Sequence, residues 1–174
     1  MLSHRLKNDF INRSGSIGLQ TMKKLLFLFL FLGCYEATFA QQPDDEKAVK
    51  AVVVQLFDGM QKHDSTMIRA CFHPSARMQS VGMNRKTGNV ELTTESSVDG
   101  FVKSIGSMPA TTQIEEKILR YEIRVDAQMA TAWTPYEFYF NGKKVHCGVD
   151  AFQFFKTDTG WKILTIADTR RKCD

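Results

Sequence analysis

A chain of 174 residues with 43% hydrophobic side chains has material for one domain around one core, and no repeat or low-complexity stretch divides it. Its 23 basic and 19 acidic residues leave a formal charge of +4, too little for a nucleic-acid footprint. Even that excess sits mostly at the start: the first forty residues hold five basic and two acidic side chains, which leaves 18 basic against 17 acidic in the remainder.

The N-terminus carries its own signal. Met22-Lys23-Lys24 is followed by LLFLFLFLG and a small-residue exit ending Thr38-Phe39-Ala40. A basic start, a short apolar run and a small-residue cleavage site predict a secretory signal peptide over residues 22–40. The expected domain is then 41–174, exported to the periplasm or beyond, with no membrane span because the apolar run is too short. Residues 1–21 have no periodicity and read as an over-extended start upstream of Met22. Leu32-Gly33-Cys34 offers a rival lipoprotein reading, to which Phe31 fits poorly.

In chain order, Val49, Val52, Val53, Leu56, Phe57 and Met60 recur at helical spacing and predict an α-helix from Pro43 to His63. Asp44, Asp45 and Glu46 suit its positive N-terminal dipole end. Asp64 or Ser65 caps a short second helix, Thr66 to Cys71, which Phe72-His73-Pro74 ends. Short strands are expected at Arg77 to Gly82 and Asn89 to Thr93. Ser96 or Ser97 caps a third helix, with Val98, Phe101, Val102 and Ile105 on one face, and Gly106 to Thr112 is a linker.

Longer strands follow at Gln113 to Val125, Ala127 to Phe140, from Val145, and Trp161 to Arg170. Asn141-Gly142 and Thr157-Asp158-Thr159-Gly160 are hairpin turns. Pro135 cannot donate to a ladder, so a bulge is expected there. The pattern predicts an α+β fold, with three N-terminal helices on one face of a strongly bent antiparallel sheet. Behind the leader remain Cys71, Cys147 and Cys173, an odd number. Pairing about Asp158-Thr159 puts Cys147 near Arg170, so a bond to Cys173 needs the tail to fold back. A small-residue core role for Cys71 and Cys147 is the preferred expectation.

Strand alternation places His146, Gly148, Asp150, Phe152 and Phe154 on one face. Two phenylalanines turn that face inward and set Asp150 among apolar groups, where a carboxyl's pKa rises and general-base or hydrogen-bonding work becomes open to it. The plain alternative is a structural acceptor. His73 is a second candidate base, although a helix C-terminus also favours histidine. His146 lies i−4 from Asp150, roughly 13 Å along a strand, so the two meet only across a ligand. Phe57, Phe72, Trp133, Tyr136, Phe138, Phe152 and Trp161 can line a pocket or simply fill a core. Trp133 and Tyr136 have opposite parity and share a face only if Pro135 forms a bulge. The chain has no Gly-rich phosphate loop, Gly-x-Ser-x-Gly, His-Glu-x-x-His or paired Cys-x-x-Cys, so neither a metal nor a cofactor is expected.

Three segments carry a family resemblance: VVVQLFDGMQKHDSTMIRACFHPSAR, SSVDGFVKSI and VDAFQFFKTDTGWKILTIAD. In order and spacing they resemble the nuclear transport factor 2-like (NTF2-like) superfamily. Within it they resemble the bacterial "putative lumazine-binding" group, near the ketosteroid isomerase and SnoaL-like relatives. The resemblance implies a cone-shaped fold with a pocket between helices and sheet, and dimers formed through the sheet. It implies no particular reaction. Three functions remain open: a binder of a small apolar or aromatic molecule, an isomerase- or cyclase-type enzyme with Asp150 or His73 as base, and an interaction module whose pocket is filled.

Overall fold

The computed structural model describes residues 42–84, 86–93 and 97–173. The leader expected over 22–40, with Cys34, and the residues upstream of it lie outside them. Helices α1 (Gln42–Gln61), α2 (Ser65–Cys71) and α3 (Val98–Gly106) pack against seven strands: β1 (Phe72–Met83), β2 (Val90–Leu92), β3 (Ile114–Ile118), β4 (Glu122–Asp126), β5 (Met129–Phe140), β6 (Lys143–Thr157) and β7 (Gly160–Arg170). The sheet order is β2-β1-β7-β6-β5-β3, with β4 also on β5. One ladder departs from the expected antiparallel sheet, because β1 runs parallel to β7.

Helix α1 buries Val49, Val53, Leu56 and Met60, one residue per turn on one stripe. It stops in a Schellman arrangement, with His63 N–H donating to Met60 O and Asp64 N–H to Gly59 O. The left-handed position is His63 itself, at φ 54°, where glycine is usual. Asp64 then caps α2, its carboxylate accepting from the N–H groups of Thr66 and Met67, both at 2.9 Å. Ser97 caps α3 through Gly100 N–H. Near its start α1 is fastened to the β6–β7 hairpin by Asp45, which accepts from Lys156 Nζ at 2.6 Å and Trp161 Nε1 at 3.1 Å. Those two donors hold the Asp45 carboxyl below its usual range.

Strand β1 begins at Phe72, earlier than expected, and absorbs Pro74 in a register shift between Phe72 and Arg77. The expected strand from Gln113 is two strands, β3 and β4, which pair with opposite halves of β5. Pro135 falls at their junction. Its carbonyl accepts from Leu119 N–H at 2.8 Å, so its missing N–H faces the gap between β3 and β4, where no ladder needs it. The expected bulge is absent there: Pro135 keeps register with Val149, and the shift comes at Phe138/Tyr139. Asn141 and Gly142 turn with φ 49° and 74°, as a two-residue hairpin requires.

The cysteine expectation also needs correcting. Cys147 and Cys173 form a disulfide, and Cys71 is the free, buried thiol. A register shift between Gln153 and Phe154 moves the partner of Cys147 from Arg170 to Arg171, and two backbone hydrogen bonds hold that pair. The tail folds back as a continuation of β7.

Gly148, on the inner face of β6, sits under the Tyr136 ring. A Cβ there would collide with the Thr169 carbonyl and lie 2.8 Å from two ring carbons of Tyr136. Backbone cannot step aside, so Gly148→Ala is expected to cost about 1–3 kcal/mol in urea unfolding. A cost below about 0.5 kcal/mol would show that the Tyr136–Thr169 contact is loose.

Candidate functional site

Between the helices and the inner face of the sheet lies a cavity of about 330 Å³. Its apolar walls come from Leu56, Phe57 and Met60 of α1, Phe101 and Ile105 of α3, and Met108 after α3. The sheet adds Phe138, Phe152 and Ile166. Phe57 meets Phe152 edge-on with centroids 6.3 Å apart.

The cavity also has a polar end, assembled by register. Thr134 pairs with Asp150, and Asp150 with Asp168, across β5, β6 and β7. Glu116 of β3 reaches the same place beside Tyr136, and Arg170 stands two residues beyond Asp168. Asp150 is only 4% exposed and accepts from the Thr134 hydroxyl at 3.2 Å. Glu116 and Asp150 line the cavity together and titrate as a coupled pair, in which a proton on one carboxyl can be donated to the other. Asp168 accepts from the Ser80 hydroxyl, from Arg170 Nε at 2.9 Å and, more weakly, from the Tyr136 hydroxyl at 3.4 Å. Tyr136 also donates to Thr169 O at 3.0 Å.

Burial governs the titration here. It lifts Asp150 to about 7, assisted by the neighbouring Asp168 charge. It lifts Glu116 well above the carboxylate range, assisted by Asp150. Tyr136 is raised by burial and by the same anions, so it stays a neutral phenol. His146 is lowered by burial and then by Arg170, and is held against Phe138 in a stack with centroids 4.9 Å apart.

The structure sorts the sequence candidates. Asp150, His146, Phe57, Tyr136, Phe138 and Phe152 line the cavity together. His73 lies apart on β1, with Nδ1 on the Ser75 hydroxyl at 2.7 Å and its ring against Phe155. Phe72 is core, packed on Phe101. Trp161 is core near Asp45. Trp133 is 46% exposed on the opposite face of the sheet, because without a bulge at Pro135 it cannot share a face with Tyr136. Sequence reading missed Glu116, Asp168 and Arg170. For Asp168 the signal was available: it shares the parity of the buried Ile166 on a strand whose partner carries Asp150.

With that geometry established, comparison places the chain. The family profile described as "Putative lumazine-binding" matches residues 44–167, and the chain belongs to that family. Its fold is NTF2-like. A protein of unknown function from Mycobacterium tuberculosis matches with TM-score 0.61 at 12% identity, over 80% of this chain and 79% of that one. An NTF2-like protein of unknown function from Shewanella baltica gives 0.53 at 17%, over 79% and 100%. A "putative dehydratase" of the NTF2-like family from Streptomyces avermitilis gives 0.56 at 16%, over 75% and 99%. These likenesses concern the fold. A search of curated proteins finds no significant match.

The raised carboxyls have a signed consequence for stability. A carboxyl with a folded-state pKa near 7 and an unfolded one near 4 binds more protons when folded, so its contribution is present in full below about pH 4 and lost as pH rises to about 7. Asp150→Asn removes that loss. The variant is therefore expected to melt above the parent at pH 8, with the gap shrinking at pH 5. A gap independent of pH would mean that Asp150 titrates normally.

Proposed function

We propose that this domain binds a small, flat, largely apolar or aromatic molecule in the cavity between α1, α3 and the sheet. One observation carries the reading: a cavity of about 330 Å³, walled by apolar side chains, ends on a compact polar group centred on Asp150. A space of that size holds a bicyclic ring system, and apolar walls with a few convergent polar groups are the usual make-up of small-molecule sites. A filled interaction module would leave no such space. The family description makes lumazine, a bicyclic heteroaromatic, the natural first probe.

The enzymatic alternative rests on Asp150, whose pKa of about 7 suits a general base. His73 has no part in it, since it does not line the cavity.

Titration calorimetry with lumazine and with naphthalene tests the binding reading. Binding of either is expected, and Ser104→Trp, a bulky plug on the helix edge of the cavity, is expected to weaken it by roughly tenfold or more without lowering the melting temperature. Failure of both probes, with a folded parent protein, overturns the reading. Turnover of a bound molecule that is lost in Asp150→Asn would move the protein into the enzyme class.

We further propose that the domain works outside the cytoplasm, as a homodimer joined through the outer face of its sheet. The Cys147–Cys173 disulfide supports an oxidising compartment. The outer face supports pairing: Trp133 stands beside Ala151 and Ala167 in one cross-strand row, and exposed Met129 lies on the same side of β5. Small residues beside a projecting tryptophan suit a flat, self-complementary contact. Trp133→Arg is expected to convert a dimer into a monomer in sedimentation velocity. A parent protein that is monomeric at tens of micromolar would discard the interface.

A further inference from the structure

The polar end of the cavity is unusual in its donor–acceptor balance. Three carboxyls converge there, Glu116, Asp150 and Asp168, against a single cation, Arg170. Most nearby donors are already committed. The Ser80 hydroxyl and Arg170 Nε go to Asp168, the Tyr136 hydroxyl to Thr169 O and Asp168, and the Thr134 hydroxyl to Asp150. Asp168 is therefore well served. The Glu116–Asp150 pair is not: among the described residues, Thr134 is its one donor from outside the pair. Even with one of them protonated, the two carboxyls offer more acceptor sites than Thr134 fills, and both side chains line the cavity.

Two other groups near the cavity still carry N–H. His146 is stacked on Phe138 and, with its pKa lowered by burial, offers one donor as a neutral ring. Arg170 has guanidinium N–H groups beyond the one on Asp168, but its side chain is 58% exposed and its charge is matched by Asp168. Neither balances the Glu116–Asp150 pair, which sits deeper. No charged side chain of α1 or α3 lines the cavity, so nothing on the helix side adds a cation.

We propose that the deep end of the cavity recognises hydrogen-bond donors, so that its ligand is a flat heteroaromatic molecule presenting an amidine-like N–H edge to Glu116 and Asp150. The inference rests on the binding reading above and narrows it. A ligand carboxylate meets like charge from Glu116, Asp150 and Asp168 at that end. An N–H edge makes parallel bonds to a carboxylate, the strong bidentate arrangement. The rings then lie between Phe57, Phe138 and Phe152, and the polar edge faces β6 and β3.

Three bicyclic probes of one size separate the outcomes: 2-aminoquinoline, which has the N–H edge; 2-naphthoate, which has an anion in its place; and naphthalene, which has neither. The expected order of affinity by calorimetry at pH 7.5 is 2-aminoquinoline over naphthalene over 2-naphthoate, the first exceeding the last by about tenfold or more. Asp150→Asn and Glu116→Gln are each expected to erase most of the 2-aminoquinoline advantage while keeping naphthalene affinity, which also reports an intact fold. Naphthoate binding as tightly as 2-aminoquinoline overturns the inference and leaves the binding reading standing. An advantage that survives both substitutions overturns it too, by placing the selection elsewhere. If no probe binds the folded parent protein, the binding reading fails and this inference with it.

Discussion

A carboxyl buried on the inner face of a sheet is the constraint around which this domain is arranged. Asp150 is almost wholly removed from water, and an isolated carboxylate in that position would be prohibitively costly. The fold meets the cost in three ways. Thr134 donates to it from β5, its titration is coupled to that of Glu116 from β3, and its own pKa rises to about 7. Each solution depends on strand register. A one-residue slip of β6 would send Asp150 to the outer face and bring Val149 or Ala151 inward.

Register is therefore fixed from several sides. Asn141-Gly142 and the Asp158-Thr159 turn set the two ends of β6. The disulfide and the Cys147–Arg171 hydrogen bonds extend β7 past Arg170, which keeps Arg170 and Asp168 in line with the cavity. Gly148 leaves room for Tyr136 to lie across β6 and reach Thr169 O. At the other end, Asp45 fastens α1 to Lys156 and Trp161, so the helix that forms one cavity wall is tied to the hairpin that carries the polar groups. The apolar wall and the polar end are thus parts of one mechanical unit.

Local signals in the sequence located the helices, the turns and the inward face of β6, because each depends on periodicity or turn chemistry within a dozen residues. Asp150 and the aromatic residues of that face were legible for the same reason. What could not be read was pairing across the sheet. The parallel β1–β7 ladder joins residues some ninety positions apart, and no local pattern encodes it. Glu116 lies in a strand, IEEKI, and shares the parity of Ile114 and Ile118, but only the pairing with β5 shows that this face meets Asp150. Pro135 was correctly seen as a ladder problem, but the fold solves it with a strand break opposite rather than a bulge. Cys173 needed the one-residue shift at Gln153/Phe154, which no count along the hairpin reveals.

The same donor–acceptor accounting weighs the two functional readings against each other. A base alone does not catalyse enolisation or cyclisation well, because negative charge develops on the substrate oxygen and must meet preorganised donors. Asp150 has the pKa of a base, but the hydroxyls that surround it are spent on carboxylates or on Thr169 O. Glu116, raised well above the carboxylate range, could donate to a substrate only by turning from Asp150, which would keep the Thr134 hydroxyl as its donor. Acid and base are thus tied to each other rather than held apart for a substrate between them. Such a pair suits a ligand that brings its own N–H groups, whereas a developing oxyanion would have to draw on the remaining N–H groups of His146 and Arg170. That balance supports the binding reading proposed above, and it rests on the residues that first marked the site as reactive.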